Sequence, residues 1–299
     1  MALSDTASPP ASFPTVDAVK LIALALDEDL GDFGDVTSRL TIPADATGSV
    51  AIVTRESGRL AGLPIAALVA NRVDDAIDVQ PQASDGDAIV AGQSVCRLSG
   101  PVRALLSAER TILNFLTHLS GIASLTERYI GRVGNYRAVV LDTRKTLPGW
   151  RRLAKHAVQC GGGVNHRMGL HDAVLIKDNH LAAAREADPG ESLADLIRRV
   201  RESLERPLAI TIEVDTLDQF REALPGQPDI VLLDNMSPET LAEAVAIRDG
   251  AGSETKLEAS GGINLETIGA VAASGVDRIS VGALTHSAPT LDLGFDWAD

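Results

Sequence analysis

Ala138-Val-Val-Leu-Asp-Thr-Arg-Lys145 runs from four apolar residues straight into a polar cluster, and the same figure returns five times further along the chain. Ala173-Val-Leu-Ile176 ends at Lys177, Ala209-Ile-Thr-Ile212 at Glu213, and Ile230-Val-Leu-Leu233 at Asp234. Lys256-Leu-Glu-Ala259 ends at Ser260-Gly-Gly262, and Arg278-Ile-Ser-Val281 at Gly282. A helical stretch follows each run, and the spacing of roughly 20 to 36 residues is that of βα units. Continuous apolar strands are buried on both faces, as in a parallel sheet covered by helices. Polar residues recur at every strand end and not at one crevice, which predicts a (β/α) barrel over a doubly wound sheet. In such barrels the functional residues gather on the carboxyl-terminal rim, and the last two loops often hold a phosphate. Six units are fewer than eight, so the expected class is α/β with an incomplete (β/α) barrel.

The first third has a different rhythm. Val16, Val19, Ile22, Ala23, Leu26 and Leu30 recur at helical spacing, with Pro14 before them and Gly31 to stop the helix. The acidic stretch from Glu28 to Thr37 reads as a loop. Short alternating runs at Ser49–Thr54, Ala76–Gln80 and Ser94–Leu98 predict strands separated by Ser57-Gly58 and Asp85-Gly-Asp87 turns. A helix begins at Pro64, and another pattern runs from Val102 to about Val133 with Gly121 as its expected break. This reads as an N-terminal α+β domain over residues 1–120, with the barrel over 121–287.

Composition narrows the function. The chain has 299 residues, 45% hydrophobic content and a net charge of -14, with a pI near 4.8. So acidic a protein lacks the broad basic face that nucleic acid requires. No apolar run approaches the ~18 residues of a membrane span. The opening Met1-Ala-Leu-Ser-Asp-Thr-Ala-Ser-Pro-Pro10 has no basic or apolar region of a signal peptide and is expected to be a mobile tail of a soluble, cytoplasmic protein. Cys96 and Cys160 stand far apart, so neither a disulfide framework nor a zinc site is expected.

Against that acidity, Arg144, Lys145, Arg151, Arg152, Lys155, Arg167 and Lys177 crowd between Asp142 and His180, with His156, His166, His171 and His180 among them. Such a concentration predicts an enclosed pocket for a small, highly anionic ligand. After Thr143, Arg144 offers a planar fork for a carboxylate and Lys145 a compact charge for phosphate oxygens. The bland alternative is a solvated turn pairing with Asp142. Lys177 should emerge on the rim. Gly161-Gly-Gly163 ends a helix, which leaves the Asn165-His-Arg167 run after it unexplained; His166 alone would be structural, and Arg167 beside it makes the case. Cys160, beside that helix end, reads as a small core residue. Glu213 and Asp234, at the ends of successive strands, can hold ribose hydroxyls, bind Mg²⁺ or stabilise a developing cation, or simply pair with Lys145 or Lys177. Ser260, Gly261 and Gly262 offer backbone N–H groups before a helix expected near Asn264, and Gly282, Ala283 and Leu284 are their equivalents one strand later.

Taken in order, Glu109-Arg-Thr-Ile-Leu-Asn-Phe-Leu-Thr-His-Leu-Ser-Gly-Ile-Ala123, Thr143-Arg-Lys-Thr146, Cys160-Gly-Gly-Gly163, Asn165-His-Arg167 and Leu175-Ile-Lys-Asp-Asn-His180 resemble the quinolinate phosphoribosyltransferase family, also called nicotinate-nucleotide pyrophosphorylases (carboxylating). So do Ile212-Glu-Val214, Leu233-Asp-Asn-Met236, Glu258-Ala-Ser-Gly-Gly-Ile263 and Ser280-Val-Gly-Ala-Leu-Thr-His286. The resemblance spans Glu28 to Asp296. It implies a sandwich-like N-terminal domain rejoined by residues 288–299, and a homodimer, open to higher assembly, whose site takes an arginine matching Arg110 from the partner. Thr143, Arg144, His166, Arg167 and Lys177 then line the quinolinate pocket. Lys145, Glu213 and Asp234 handle the phosphoribosyl group with Mg²⁺, which the two carboxylates reach partly through water or substrate. Ser260-Gly-Gly262 and Gly282-Ala-Leu284 take the 5-phosphate of phosphoribosyl pyrophosphate. His156 and Gln159 depart from the tyrosine and arginine expected there. The competing readings are a related transferase for another anionic acceptor, a non-catalytic sensor, and a barrel lyase using Lys177 as a Schiff base.

Overall fold

The computed structural model describes residues 12–297, and the chain divides into two compact units. The opening stretch expected to be a tail lies outside the described residues.

One unit comprises residues 12–127 together with Lys145–Gly162 and residues 284–297. Its first helix, Thr15–Leu30, buries Ala18, Ile22 and Leu26 and ends at Gly31, whose φ of 48° suits glycine. The acidic stretch is not all loop: Asp35 accepts from the Ser38 N–H and caps a short helix, Val36–Thr41. Five strands follow: β1 (Thr47–Thr54), β2 (Gly58–Arg59), β3 (Asp78–Pro81), β4 (Ala88–Ile89) and β5 (Ser94–Pro101). The helix expected at Pro64 runs to Val73. β1 pairs antiparallel with β5, setting Val50 opposite Leu98 and Ile52 opposite Cys96, so their buried side chains share one face. The last strand, β12 (Leu293–Trp297), returns to pair antiparallel with β1, which completes a four-stranded sheet in the order β12-β1-β5-β3.

The helix Val102–Val133 is unbroken. Leu105, Ile112, Leu116 and Leu119 form its fully buried stripe, and each such side chain contributes about 1.5–3 kcal/mol. Gly121 does not break it. A Cβ there would lie 2.0 Å from the Pro289 carbonyl oxygen, so the glycine admits a close backbone approach. Trp150 stacks on Phe115 at 4.7 Å and leads into the helix Arg151–Cys160.

The other described unit comprises Arg128–Arg144 and Gly163–Ala283. It holds β6 (Val139–Leu141), β7 (Val174–Ile176), β8 (Ile210–Val214), β9 (Ile230–Asp234), β10 (Lys256–Ser260) and β11 (Arg278–Ser280). All six expected strands form, all parallel, in the order β6-β11-β10-β9-β8-β7. Among the described residues β6 and β7 share no ladder, which leaves the (β/α) barrel incomplete. An isolated bridge from Leu141 to Val164 lies against β6 instead. No helix of the described residues is long and apolar enough to cross a membrane.

Candidate active site

Register sorts the strand ends into rows. Glu213 lies opposite Leu232, Leu232 opposite Glu258, and Glu258 opposite Arg278. Lys177 extends this row one residue beyond β7, where Ile176 meets Ile212. Asp234 and Ser260, opposite each other two residues further on, share the same face. The alternate positions carry Ile212, Leu233, Leu257, Ala259 and Ile279, all buried. The strands are therefore apolar on one face and chemically loaded on the other.

Two ion pairs occupy the first row. Lys177 Nζ donates to Glu213 Oε2 at 3.0 Å, the plain alternative expected for Glu213, and one compatible with a role in the site. It leaves the Lys177 ammonium bound to a carboxylate, and no observation favours the Schiff-base lyase. Arg278 Nε donates to Glu258 Oε2 at 3.0 Å, and the two side chains are only 1% and 0% exposed. Neither Glu258 nor Arg278 was singled out as a site residue from the sequence, although a charge in the middle of Leu257-Glu-Ala259 was a visible signal. Burial by itself would raise the Glu258 carboxyl; the adjoining His166 and Arg278 more than offset it and hold the group down to about 2.

Asp142 organises the loop after Val164. It is fully buried, not a partner in a solvated turn. Its Oδ1 accepts from the His166 N–H at 2.9 Å and its Oδ2 from Asn165 Nδ2 at 2.6 Å. The Arg167 N–H in turn donates to His166 Nδ1 at 2.8 Å. With Nδ1 accepting, the ring proton sits on Nε2, 3.4 Å from Glu258 Oε1. His166 Nδ1 is thus bonded to the backbone and Nε2 faces the Glu258 carboxylate, so the ring orients the loop that carries Arg167.

Arg167 is 6% exposed. Its Nη1 donates to the Ala173 carbonyl at 3.1 Å, while Nε has no hydrogen-bond partner among the described residues. Burial lowers the guanidinium's pKa, and the charge of Arg144 lowers it further, with Asp172 opposing. Arg144 therefore adds like charge to the surroundings of a guanidinium that is already buried. Asp172 is itself engaged by the N–H groups of Met168 and Gly169 at 2.6 and 2.9 Å. An anion bound beside Arg167 would offset both its burial and this like charge.

At the next row, Asn235 adopts a φ of 53° and donates from Nδ2 to Asp234 Oδ2 at 2.6 Å. Gly261, at φ +92°, admits this side chain, since a Cβ would lie 2.2 Å from Asn235 Oδ1. The helix after Gly262 begins at Ile268, not near Asn264, and has six residues. Asn264 instead makes a turn, its Oδ1 accepting from the Glu266 and Thr267 N–H groups. The expected helix dipole is therefore weak here; the Gly261-Gly262 backbone is what remains. Thr143 follows β6, and Gly282 and Ala283 follow β11. In the other unit, exposed Arg110 sits on the long helix, the Lys145 carbonyl accepts from Thr285 Oγ1 at 2.8 Å, and Leu284 is buried. A cavity of about 1160 Å³ opens at the opposite, amino-terminal ends of β9–β11, beside Ile230, Lys256 and Arg278, and holds none of the expected site residues.

A family model described as quinolinate phosphoribosyl transferase, N-terminal domain, matches residues 35–120, and its C-terminal counterpart matches residues 122–296. A nicotinate-nucleotide pyrophosphorylase (carboxylating) of Mycobacterium leprae is 43% identical over 277 residues, covering 92% of this chain and 95% of that protein. A probable enzyme of the same name from Bacillus subtilis is 37% identical, with 90% and 89% covered. The solved nicotinate-nucleotide pyrophosphorylase of Francisella tularensis superposes with a TM-score of 0.89 at 37% identity, covering 97% of this chain and 99% of that one.

Proposed function

The chain belongs to the quinolinate phosphoribosyltransferase family, and we propose that it transfers the phosphoribosyl group of phosphoribosyl pyrophosphate to quinolinate with loss of CO₂. The products are nicotinate mononucleotide and pyrophosphate, a step of NAD biosynthesis catalysed by a pentosyltransferase. The observation that carries this reading is the buried Arg167, whose Nε has no hydrogen-bond partner among the described residues and to whose surroundings Arg144 adds like charge. A pyridine dicarboxylate supplies two anionic groups to such a pair.

Arg144 and Arg167 receive the carboxylates, with Thr143 at the pocket wall. His166 is a positioning residue, fixed by Glu258 and fixing Arg167. Glu213 and Asp234 stand on one face of adjoining strands, where their negative charge stabilises a ribose carbon that becomes cationic as pyrophosphate leaves. Lys177 restrains Glu213. Lys145 offsets charge on the departing pyrophosphate. The pyridine nitrogen forms the bond to the ribose carbon as the carbon–oxygen bond to pyrophosphate breaks. The ring, now cationic, accepts the electron pair left when the 2-carboxylate departs as CO₂, and a proton replaces it. Ser260-Gly-Gly262 and Gly282-Ala-Leu284 hold the 5-phosphate through backbone N–H groups.

Two carboxylates of this kind suit a hard cation bound by oxygen. Glu213 and Asp234 would hold Mg²⁺ in part through water or substrate, and the ion would supply neutralisation of the pyrophosphate charge. The enzyme works in the cytoplasm as a homodimer in which Arg110 completes the partner's site. The test is direct: purified protein given quinolinate, phosphoribosyl pyrophosphate and Mg²⁺ should release nicotinate mononucleotide and CO₂ in equal amounts. Turnover of nicotinate at the same efficiency as quinolinate would overturn the assignment.

A further inference from the structure

The unit holding the antiparallel sheet gathers three side chains with metal-ligand chemistry that the transfer reaction does not use. His156 and Cys160 stand four residues apart on the helix Arg151–Cys160, so one face presents both. Asp85 reaches them from its turn, and one ligand atom from each of the three lies within 4.8 Å of the others. The Leu63 N–H donates to Asp85 Oδ1 at 2.8 Å, which leaves Oδ2 to face His156 Nε2 at 2.7 Å. His156 Nδ1 is buried with no hydrogen-bond partner among the described residues. The imidazole is therefore held by a single hydrogen bond, although His156 and Cys160 are 6% and 5% exposed.

We propose that Asp85, His156 and Cys160 form a binding site for a divalent transition ion of the zinc type, with water as fourth ligand. The donor set combines a soft sulfur, an imidazole and a carboxylate, which suits zinc better than Mg²⁺ or Ca²⁺. Tetrahedral zinc with ordinary bond lengths separates its ligand atoms by roughly 3.4–3.6 Å. The Asp85–His156 contact must open by roughly 0.7–0.9 Å and the thiol close by at most roughly 1.4 Å, both within side-chain rotation. Burial, and after it the Asp85 charge, pushes the Cys160 thiol pKa up. A dication relieves both effects, and the thiol proton is released on binding. Sequence spacing concealed the cluster because Asp85 joins from 71 residues before His156. The family resemblance predicts tyrosine, not histidine, at position 156. Coordination here would fasten the Asp85-Gly-Asp87 turn to the end of the helix that precedes Gly161.

The experiment uses the full chain, stripped by chelator and titrated with Co²⁺ in the absence of Mg²⁺ and substrates. One equivalent should bind, with a thiolate-to-cobalt charge-transfer band and the visible bands of four-coordinate Co²⁺, and Zn²⁺ should displace it. His156→Tyr, which keeps a hydroxyl for Asp85, and Cys160→Ser should each weaken binding by more than about 100-fold and abolish the charge-transfer band. Either variant suffices if far-UV ellipticity shows that the other misfolds. Absence of the band from the unmodified chain, or equal binding by a folded variant, overturns the proposal. Co²⁺ bound without a thiolate band belongs to carboxylates elsewhere and overturns it too.

Discussion

Removing the charge of Glu258 should destabilise the barrel unit far more than removing any surface carboxylate. Glu258 and Arg278 are 0% and 1% exposed and joined at 3.0 Å, so Glu258→Gln strands a buried guanidinium beside a neutral amide. Breaking a buried pair from one side costs about 3–5 kcal/mol. The proton linkage points the same way. The carboxyl is held at about 2 against an ordinary 4.5. Its folded value lies below its unfolded one. The contribution is therefore complete above about pH 5 and disappears as pH falls toward 2.

Urea unfolding followed by ellipticity reads both effects. At pH 7 the Glu258→Gln midpoint should fall by on the order of 1 M. Between pH 5 and 3 the unmodified protein should lose stability more steeply than the variant, because the variant no longer has this group to titrate. Glutamine also carries one acceptor oxygen where glutamate carries two, so Arg278 and His166 compete for it. The double variant Glu258→Gln/Arg278→Met should recover most of the loss, since the buried charge that Glu258 offset is then removed as well. A midpoint within about 0.2 M of the unmodified protein, or identical acid limbs, would refute the view that this pair is a buried ionic anchor.

Three further outcomes are expected. Arg167→Ala and Arg144→Ala should each raise the KM for quinolinate by about 10- to 150-fold, the worth of a charged hydrogen bond, while the KM for phosphoribosyl pyrophosphate changes little; equal effects on both substrates count against the carboxylate assignment. Gly121→Ala forces a Cβ to within 2.0 Å of the Pro289 carbonyl oxygen, so thermal unfolding should report a loss of about 1–3 kcal/mol with both KM values unchanged. Arg110→Ala chains mixed with Lys177→Ala chains should regain about a quarter of full activity, because half the dimers are mixed and each then has one intact site; confirmed mixed dimers without activity would exclude a shared site.

The barrel strands were legible because burial on the helix-facing side imposes branched apolar residues that no other constraint disturbs. All six apolar runs became strands, within a residue or two of their expected ends. What escaped notice had its cause in tertiary contact. Gly121 resembled a helix break because nothing local announces that Pro289 will press on it. Val36–Thr41 was lost in an acidic stretch whose Asp35 is in fact a helix cap. Asn264 looked like a helix start and forms a turn, for the same side-chain-to-backbone competition that makes asparagine suit either. Arg144, Arg167, Lys177 and Glu213 were visible because they end apolar runs or follow glycines. Glu258 and Arg278 sit inside such runs, where a pattern that seeks apolar strands passes over them.

The placement of those two residues explains why the polar face of the barrel tolerates so much charge. Three carboxylates here have partners: Glu213 has Lys177, Glu258 has Arg278 and His166, and Asp142 has the Asn165–His166 loop. Arg167 departs from this rule, since its Nε has no hydrogen-bond partner among the described residues and the charge of Arg144 adds to the cost of its burial. The network thus holds Arg167 in place although the guanidinium's own electrostatics are incomplete. Apolar packing at Glu258 and Arg278 would stabilise the fold at least as well, but it would leave His166 without the carboxylate that its Nε2–H faces. The buried ion pair is then best understood as orienting a loop, and the deficit at Arg167 as the feature that an anionic substrate completes.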